Sequence, residues 1–541
     1  MADQNEILIV SLVYLTINFM IFESMSEPKI ILPIVNELPS DYADRLGMIY
    51  SSQVIESDKK DMGQFFTPPE LARFMGNLAN ASTNHVRILD PGCGTAILSC
   101  ALIEKIVIDK KVTTISLSLY ETDLKLLDYI QMSLAYLKDW LKDKGVSLEW
   151  QLFPMDFIID NLSLFSQTSD EQYFDFIIAN PPFFKLSKDD SRVFALSQLT
   201  KGISNIYAAF LALAAILLKP TGELIFIIPR SFASGLYFKE FRSFLFRRIT
   251  LEFIHLFKSR RDAFARDKVL QETLVLKGKK RHNYSGFGDV SLSTSNSLKD
   301  IDKCEISLFR EDYLIDFTSE DRILHLPVNI TEENVLKVFK SWNGNLEKYD
   351  LQISTGPVVS YRLSENIYNT NSSDNLVPLL WLHNVTKMSV EWPLIRDGKG
   401  QYLALTPKSE NWLVPNKNYV LLRRFSAKDD KARLVAAPYF YALGSSDSIG
   451  IENKLNYIYR PKGHMQRSEV LGISALLNSE IFDTYFRTFN GNVNVSATEL
   501  RAMPLPPINA ILDLGDKLIM ANDFSMASVN KLINNYFNLG N

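Results

Sequence analysis

Arg87–Ala96 reads RILDPGCGTA, and the reading of these ten residues decides the fold. A short apolar strand enters a glycine-rich turn, and a helix-like segment follows. Such a turn lets a ligand approach the backbone at Gly92 and Gly94, while the helix N-terminus offers free N–H groups. It is not the dinucleotide GxGxxG, because the third glycine is missing, and not a P-loop, because no Lys-Ser/Thr pair follows. Asp90, at the head of the turn, suits the amino group of an amino-acid-bearing cofactor.

Outward from this turn, strand-length apolar runs alternate with longer helix-like segments. The runs are Arg87–Leu89, Leu117–Tyr120, Leu148–Phe153, Phe174–Ala179, Glu223–Ile228, Leu251–Leu256 and Thr273–Leu276. This alternation predicts an α/β fold, a doubly wound seven-stranded Rossmann-like sheet that is mostly parallel. The last two runs have no helix between them and predict a terminal antiparallel hairpin. Lys277–His282 and Ser285–Ser297 are polar and predict a linker. Beyond it, Trp, Tyr and Arg are scattered among short strand-like runs, which predicts a second, α+β domain. The expected division is residues 1–60, 61–285 and 300–541.

A chain of 541 residues is too long for one ordinary core, in keeping with that division. Its 46% hydrophobic and 22% charged residues are those of a globular protein. The net charge of −4 leaves room for a local basic channel on a mildly acidic body. Three cysteines, Cys93, Cys100 and Cys304, form neither a disulfide framework nor a zinc spacing, and fit a reducing cytoplasm. The six histidines are scattered, so no metal is expected. Ile7–Phe22 is apolar and uncharged, but short for a membrane span and without the basic flank of a signal peptide. A membrane anchor is one reading of it; we favour an extra helix, or a segment ahead of a start at Met25.

Several further residues carry chemistry. In Gly63–Glu70, GQFFTPPE, the order Thr67, Pro68, Glu70 predicts a helix start with Thr67 as the cap. Glu121 ends the second strand, where an acid can bind both ribose hydroxyls. Asp156 and Phe157 stand at the next strand end, suited to an adenine amino group and to the ring. Asn180–Phe183, NPPF, follows the buried run FDFIIA. An adenine amino nitrogen is a poor nucleophile because its lone pair is delocalised into the ring. Two acceptors for its hydrogens, the Asn180 side-chain oxygen and the Pro181 carbonyl, would free that lone pair, with Pro181 and Pro182 stiffening the backbone. Phe183 offers a stacking face for an extruded base. Phe264, in RRDAFARDK, is either a second such face or a loop-tip aromatic, and Arg260 and Arg261 suit phosphates or a solvated loop.

Taken in order, GQFFTPPE, DPGCGTA, YETD, MDF, NPPF and Asn205–Pro229 resemble the gamma-class, Taq-type DNA adenine-N6 methyltransferases over Gly63 to about Lys277. The resemblance implies S-adenosylmethionine as cofactor. Thr67, Asp90 and Gly92 would contact its methionine part, Glu121 its ribose and Asp156 its adenine. Asn180 and Pro181 would accept from the target amine, and Phe183 and Phe264 would stack on the flipped base. This chain has Ala96 where many members have Gly, and Phe183 where Tyr is commoner. Ser354–Arg362, Tyr419–Tyr439 and Phe489–Pro506 are similar to segments of type II modification enzymes of the BsuBI/PstI kind. That implies residues 61–285 as catalytic domain and 300–541 as DNA target-recognition domain, with Arg423, Arg424, Lys428, Lys431 and Arg433 on phosphates or guanine. The partners implied are duplex DNA and a separately encoded restriction endonuclease. Two other classes share parts of the pattern. A protein glutamine-N5 methyltransferase also uses NPP-aromatic, but leaves GQFFTPP and the C-terminal half unexplained. A catalytically dead DNA-binding specificity subunit does not account for intact Asn180, Asp90 and Glu121.

Overall fold

The computed structural model describes residues 30–54, 66–108, 110–165, 173–187, 189–193, 205–258, 272–281, 286–371, 375–426, 430–441, 446–490 and 494–538. Its main sheet is built from β1 (His85–Pro91), β2 (Thr114–Tyr120), β3 (Ser147–Phe153), β4 (Phe174–Ala179), β5 (Leu218–Pro229), β6 (Ile249–Phe257), β7 (Thr273–Lys280), β8 (Asp289–Ser295) and β9 (Ile306–Arg310). The strand order is β3-β2-β1-β4-β5-β7-β6-β8-β9. Strands β1 to β5 are mutually parallel, and β7 lies antiparallel between β5 and β6. The chain reverses its direction of travel across the sheet at β1. The loops after β1 and β4 therefore open side by side at the carboxyl ends of the strands, where open α/β sheets form a ligand crevice.

Both faces of the sheet's centre are covered, which is why β4 and the later part of β5 read as continuous apolar runs. Along β5, Leu224, Phe226 and Ile228 enter one buried cluster while Ile225 and Ile227 enter the other. The first face carries α6 (Ile206–Leu217) and α7 (Lys239–Arg248). The second carries α2 (Pro69–Asn77), α3 (Ile97–Ile106) and α4 (Leu127–Lys142).

Nine strands, rather than the expected seven, belong to this sheet, and the expected linker is part of it. Lys277–Lys280 continue β7, because their charges are met inside the fold. Lys277 Nζ lies 3.2 Å from Glu223 and 3.1 Å from Glu252, and Lys280 Nζ donates to the Ala215 carbonyl at 2.8 Å, closing the end of α6. Asp289–Ser295 form β8, pairing parallel with β6. Its serines are buried as partners of a core histidine: His255 Nδ1 and Nε2 lie 2.8 and 2.9 Å from the hydroxyls of Ser293 and Ser295. Burial lowers that imidazole to about 4, so it is neutral at neutral pH.

The first 60 residues contribute a helix to the core. In α1 (Pro39–Gln53), Tyr42, Ala43, Leu46 and Tyr50 are buried, and the helix packs on α3 and α4. Ile7–Phe22 lies outside the described residues, and among those described no helix is long and apolar enough to cross a membrane.

After β9 the described residues form three smaller sheets, of four, five and two strands, and a helical group. One sheet is antiparallel, in the order Gln352–Thr355, Leu455–Tyr459, Tyr419–Arg423, Ala436–Tyr439. Its helices include Arg467–Asn478 and Ile508–Ala521, which touch through glycine. A Cβ on Gly515 would stand 1.9 Å from the Ser468 carbonyl oxygen, and one on Gly472 2.1 Å from that of Ile511, so only hydrogen fits at this crossing. The two halves of the chain are joined by Arg230, just after β5. Its Nη2 donates to the carbonyls of Arg487 and Thr488 at 2.7 and 2.9 Å, and its Nη1 lies 3.2 Å from Glu272.

Burying the large side chains of α1, Tyr42, Leu46 and Tyr50, is worth about 1.5–3 kcal/mol each, which together rivals the ~5–15 kcal/mol net stability of a typical domain. A chain shortened by its first 24 residues keeps α1 and should give the full-length chain's urea midpoint. One shortened by 54 residues should lose its cooperative transition, and an unchanged transition would show α1 to be dispensable.

Candidate cofactor cleft

A crevice opens at the carboxyl ends of β1, β2 and β4, where open α/β sheets place their ligands. Gly92, Gly94, Glu121, Asp156, Phe157, Asn180 and Pro182, all named from sequence, line it. Each comes from a strand end or the turn after it, so the sheet itself gathers them.

The glycine turn is held open from two sides. The N–H groups of Gly92 and Cys93 both donate to the Tyr120 carbonyl at 2.9 Å. Gly92 and Gly94 have φ of 74° and 54°, the left-handed region, as does Ala96 at 65°. The methyl at Ala96 is therefore carried where glycine is favoured. Glu121, 7% exposed, accepts from the Gly94 N–H at Oε2 and from Thr122 and Asp123 at Oε1, each at 2.9 Å. Burial raises its carboxyl above the ordinary value, against the pull of those N–H groups.

Asp90 does not line the cleft. It is fully buried beneath the turn, where Ser99 Oγ of α3 donates to its Oδ2 at 2.6 Å. Its other oxygen, Oδ1, is buried with no hydrogen-bond partner among the described residues. Burial pushes its carboxyl up to about 7, with the negative Glu121 adding to the shift. Thr67 is also misplaced by the sequence reading. The helix begins at Pro69 with Pro68 at its cap position and no side-chain cap, and Thr67 Oγ1 instead accepts from Asn180 Nδ2 at 3.1 Å. The short proline run keeps Thr67 extended, which frees its hydroxyl for the other wall of the site.

Asp156 caps the one-turn helix α5 (Phe157–Asp160), its Oδ1 accepting from Ile158 and Ile159 at 2.8 and 3.0 Å. Phe157 is buried against Tyr120 and Phe210, at 5.2 and 5.3 Å between ring centroids. Pro181 is buried and Pro182 half-buried. Phe183 packs edge-on against Tyr207 of α6 at 6.4 Å and does not line the cleft, whereas Phe184 does. Phe66, Phe184, Arg192 and Phe210 line it too, and the sequence reading gave them no role. Phe66 lies within the quoted GQFFTPPE and Phe210 within Asn205–Pro229, whereas Phe184 and Arg192 fall outside every quoted motif.

Arg423 and Arg424 lie at the end of the second-half strand Tyr419–Arg423. Arg423 Nε donates to the Val385 carbonyl at 2.7 Å, and Arg424 Nη1 to that of Asn453 at 3.1 Å. Arg433 is fully buried, with Nη2 donating to Asn490 at 2.9 Å, and so is structural rather than a surface contact. Arg260, Arg261, Phe264 and Lys428 lie outside the described residues. Among those described, no group of three or more His, Cys, Asp or Glu could hold a metal ion.

These features fit S-adenosylmethionine. Glu121 and Asp156 line the cleft, Asp90 beneath it has an unused oxygen, and Phe157 and Tyr120 offer an aromatic wall. Fold and cleft thus define the class, an α/β protein with a ligand crevice at the carboxyl ends of its parallel strands, whose lining suits S-adenosylmethionine. Residues 103–264 match the family described as Eco57I restriction-modification methylase. The chain is 32% identical over 469 residues to the type II methyltransferase M.BsuBI of Bacillus subtilis, covering 85% of this chain and 91% of that one. It is 29% identical over 519 residues to the type II methyltransferase M.PstI of Providencia stuartii, covering 94% and 99%. The chain belongs to the type II methyltransferases of restriction–modification systems. Among solved structures, the type IIG restriction endonuclease BpuSI shares 14% identity and a TM-score of 0.44, over 89% of this chain and 63% of that one.

The Asp90 carboxyl sets a dependence on pH. Its ordinary value is ~3.9, and in the folded chain it is about 7. Its contribution to stability is therefore full below about pH 4 and is lost as pH rises through 7. Asp90→Asn keeps an acceptor for Ser99 and removes this slope. Urea midpoints at pH 5.5 and 8 should fall less in the variant than in the natural chain; equal falls would show that Asp90 does not titrate in this range.

Proposed function

We propose that this chain transfers a methyl group from S-adenosylmethionine to N6 of an adenine flipped out of duplex DNA, as the modification half of a restriction–modification system. The observation that carries the reading is Asn180, followed by two prolines, on the wall of the same cleft that holds Gly92, Gly94 and Glu121. It brings the group that would handle an amino nitrogen into the cofactor's own site.

The chemistry that S-adenosylmethionine supplies when bound is an electrophilic methyl group. Glu121 would hold the ribose hydroxyls, Asp156 the adenine amine, and Phe157 the face of the ring. Asp90 would act from beneath the turn, through its unused Oδ1, on the positive methionine end. Asn180, fixed through Nδ2 by Thr67, would turn its carbonyl oxygen to the target amine, with the Pro181 carbonyl as second acceptor. The flipped base would stack on Phe183 or Phe184; extrusion costs a few kcal/mol, recovered by such contacts. The sheet domain from α1 through β9 would be the catalytic domain and the part of the chain after it the target-recognition domain, with Arg424 among its DNA contacts. The dominant catalytic effects would be orientation of the two reacting atoms and exclusion of water.

The test is the product. With labelled S-adenosylmethionine and duplex DNA, label should appear in N6-methyladenine after digestion to nucleosides. Label in a methylated cytosine would overturn the base assignment, and label in a glutamine side chain of added protein would favour the alternative acceptor. Asn180→Ala should slow the single-turnover rate by a factor on the order of 10²–10³, the usual cost of one polar group in a water-excluded site. Cofactor and DNA affinity should survive. A wild-type rate in that variant would remove Asn180 from the reaction.

Recognition has its own test. Arg424→Ala should weaken DNA binding and lower the salt slope by about one ion if it holds a phosphate, or relax one base position if it reads guanine. Cofactor binding should not change. Unaltered DNA affinity, salt slope and site preference would take Arg424 out of the interface.

A further inference from the structure

Arg192 is the one cation among the described residues that line the cleft. It follows the Asn180–Phe183 turn, and its side chain is 19% exposed. Two of its nitrogens grip Asp190 as a fork, Nε to Oδ1 at 2.8 Å and Nη2 to Oδ2 at 2.6 Å. The third, Nη1, donates to Asp156 Oδ2 at 3.0 Å. A bidentate fork fixes the plane of a guanidinium, so Asp190 sets the direction in which Nη1 points.

Asp156 is consequently held at both ends. Its Oδ1 accepts the two N–H groups that open α5, and its Oδ2 accepts Arg192. A carboxylate offers about four acceptor positions, and among the described residues these three bonds leave one, on Oδ2. The carboxylate can neither rotate nor present a second free oxygen to the cleft.

We propose that Arg192, fixed by Asp190, is a positioning residue that makes Asp156 select a 6-aminopurine. The proposal rests on the reading of this cleft as the S-adenosylmethionine site. With Asp156 locked, its single remaining acceptor suits one N–H of the adenine amine. A 6-oxopurine would set its own carbonyl oxygen against Oδ2, and a locked carboxylate cannot turn to accept the ring N1–H instead. Without Arg192 the carboxylate can turn, and the penalty on the 6-oxo ring falls.

The experiment compares binding of S-adenosylhomocysteine with its hypoxanthine counterpart, S-inosylhomocysteine, to the full chain by calorimetry. The natural chain should prefer the adenine compound by at least about 30-fold, since a site built to bond a polar group rejects a mismatched analogue strongly. Asp156→Ala should bring the ratio close to one. Arg192→Ala should lower it about tenfold, and should have no further effect when Asp156 is already alanine. Arg192→Lys, which keeps the charge but not the fork, and Asp190→Asn should lower it in the same sense. These two variants carry the test if Arg192→Ala fails to fold. A natural ratio in the Arg192 and Asp190 variants, with discrimination lost in Asp156→Ala, overturns the proposal and leaves the cofactor site standing. A ratio near one in the natural chain overturns both. A merely structural Arg192 would weaken both compounds alike and leave the ratio unchanged.

Discussion

The Glu121 carboxylate ties the end of β2 to the glycine turn after β1, and the rest of the cleft is arranged around that tie. Three backbone N–H groups converge on one buried acid, two from its own strand end and one from Gly94. A buried charge is tolerated only when it is bonded in this way. The arrangement leaves the turn facing outward with its glycines in left-handed conformations, which brings bare backbone to the ligand. Were Glu121 neutral and smaller, the Gly94 N–H would lose its partner, and the turn would have no reason to stay apart from α3.

From that tie the remaining walls follow by topology. β4 lies on the other side of β1, so the turn that begins at Asn180 opens beside the turn that begins at Asp90. The bond from Asn180 to Thr67 then fixes the segment before α2 over the same space. That segment is steadied in turn by α1, whose Tyr50 donates its hydroxyl to Asp123, two residues beyond Glu121. The ring of Tyr50 also meets the edge of Phe66 at 6.1 Å. One buried acid, a reversal of strand order and two side-chain bonds thus assemble a site from segments far apart in the chain.

What could be read from the sequence followed the same physics. The central strands were legible because strands covered on both faces are apolar throughout, as in Phe174–Ala179, where expected and observed limits coincide, while β2 and β3 were legible from alternation. The tail of β7 and all of β8 were not, because Lys277, Lys280, Ser293 and Ser295 look like surface residues until Glu223, Glu252 and His255 are seen opposite them. Cleft residues carried by short local motifs, such as Gly92, Glu121 and Asn180, were legible for a similar reason: each motif sits at a strand end. Arg192 and Phe184 have no such local signature. Asp90 was located correctly in the chain but not in space, since nothing in DPGCGTA says that its side chain turns under the loop toward Ser99.

The electrostatics of the cleft bear on which ligand it favours. Glu121 and Asp156 line it and Asp90 lies just below, while Arg192 is the opposing charge among the described lining residues and is already committed to Asp156 and Asp190. The balance at the glycine turn is therefore negative, in a setting where burial weakens solvent screening. Such a field favours a ligand bearing positive charge. It favours that ligand less once the charge is gone, as when a sulfonium becomes a thioether by giving up its methyl group. Burial raises the Asp90 carboxyl to about 7, and a cation standing over it would favour its charged form. The same burial that makes Asp90 costly to the fold would therefore couple its ionisation to occupancy of the cleft.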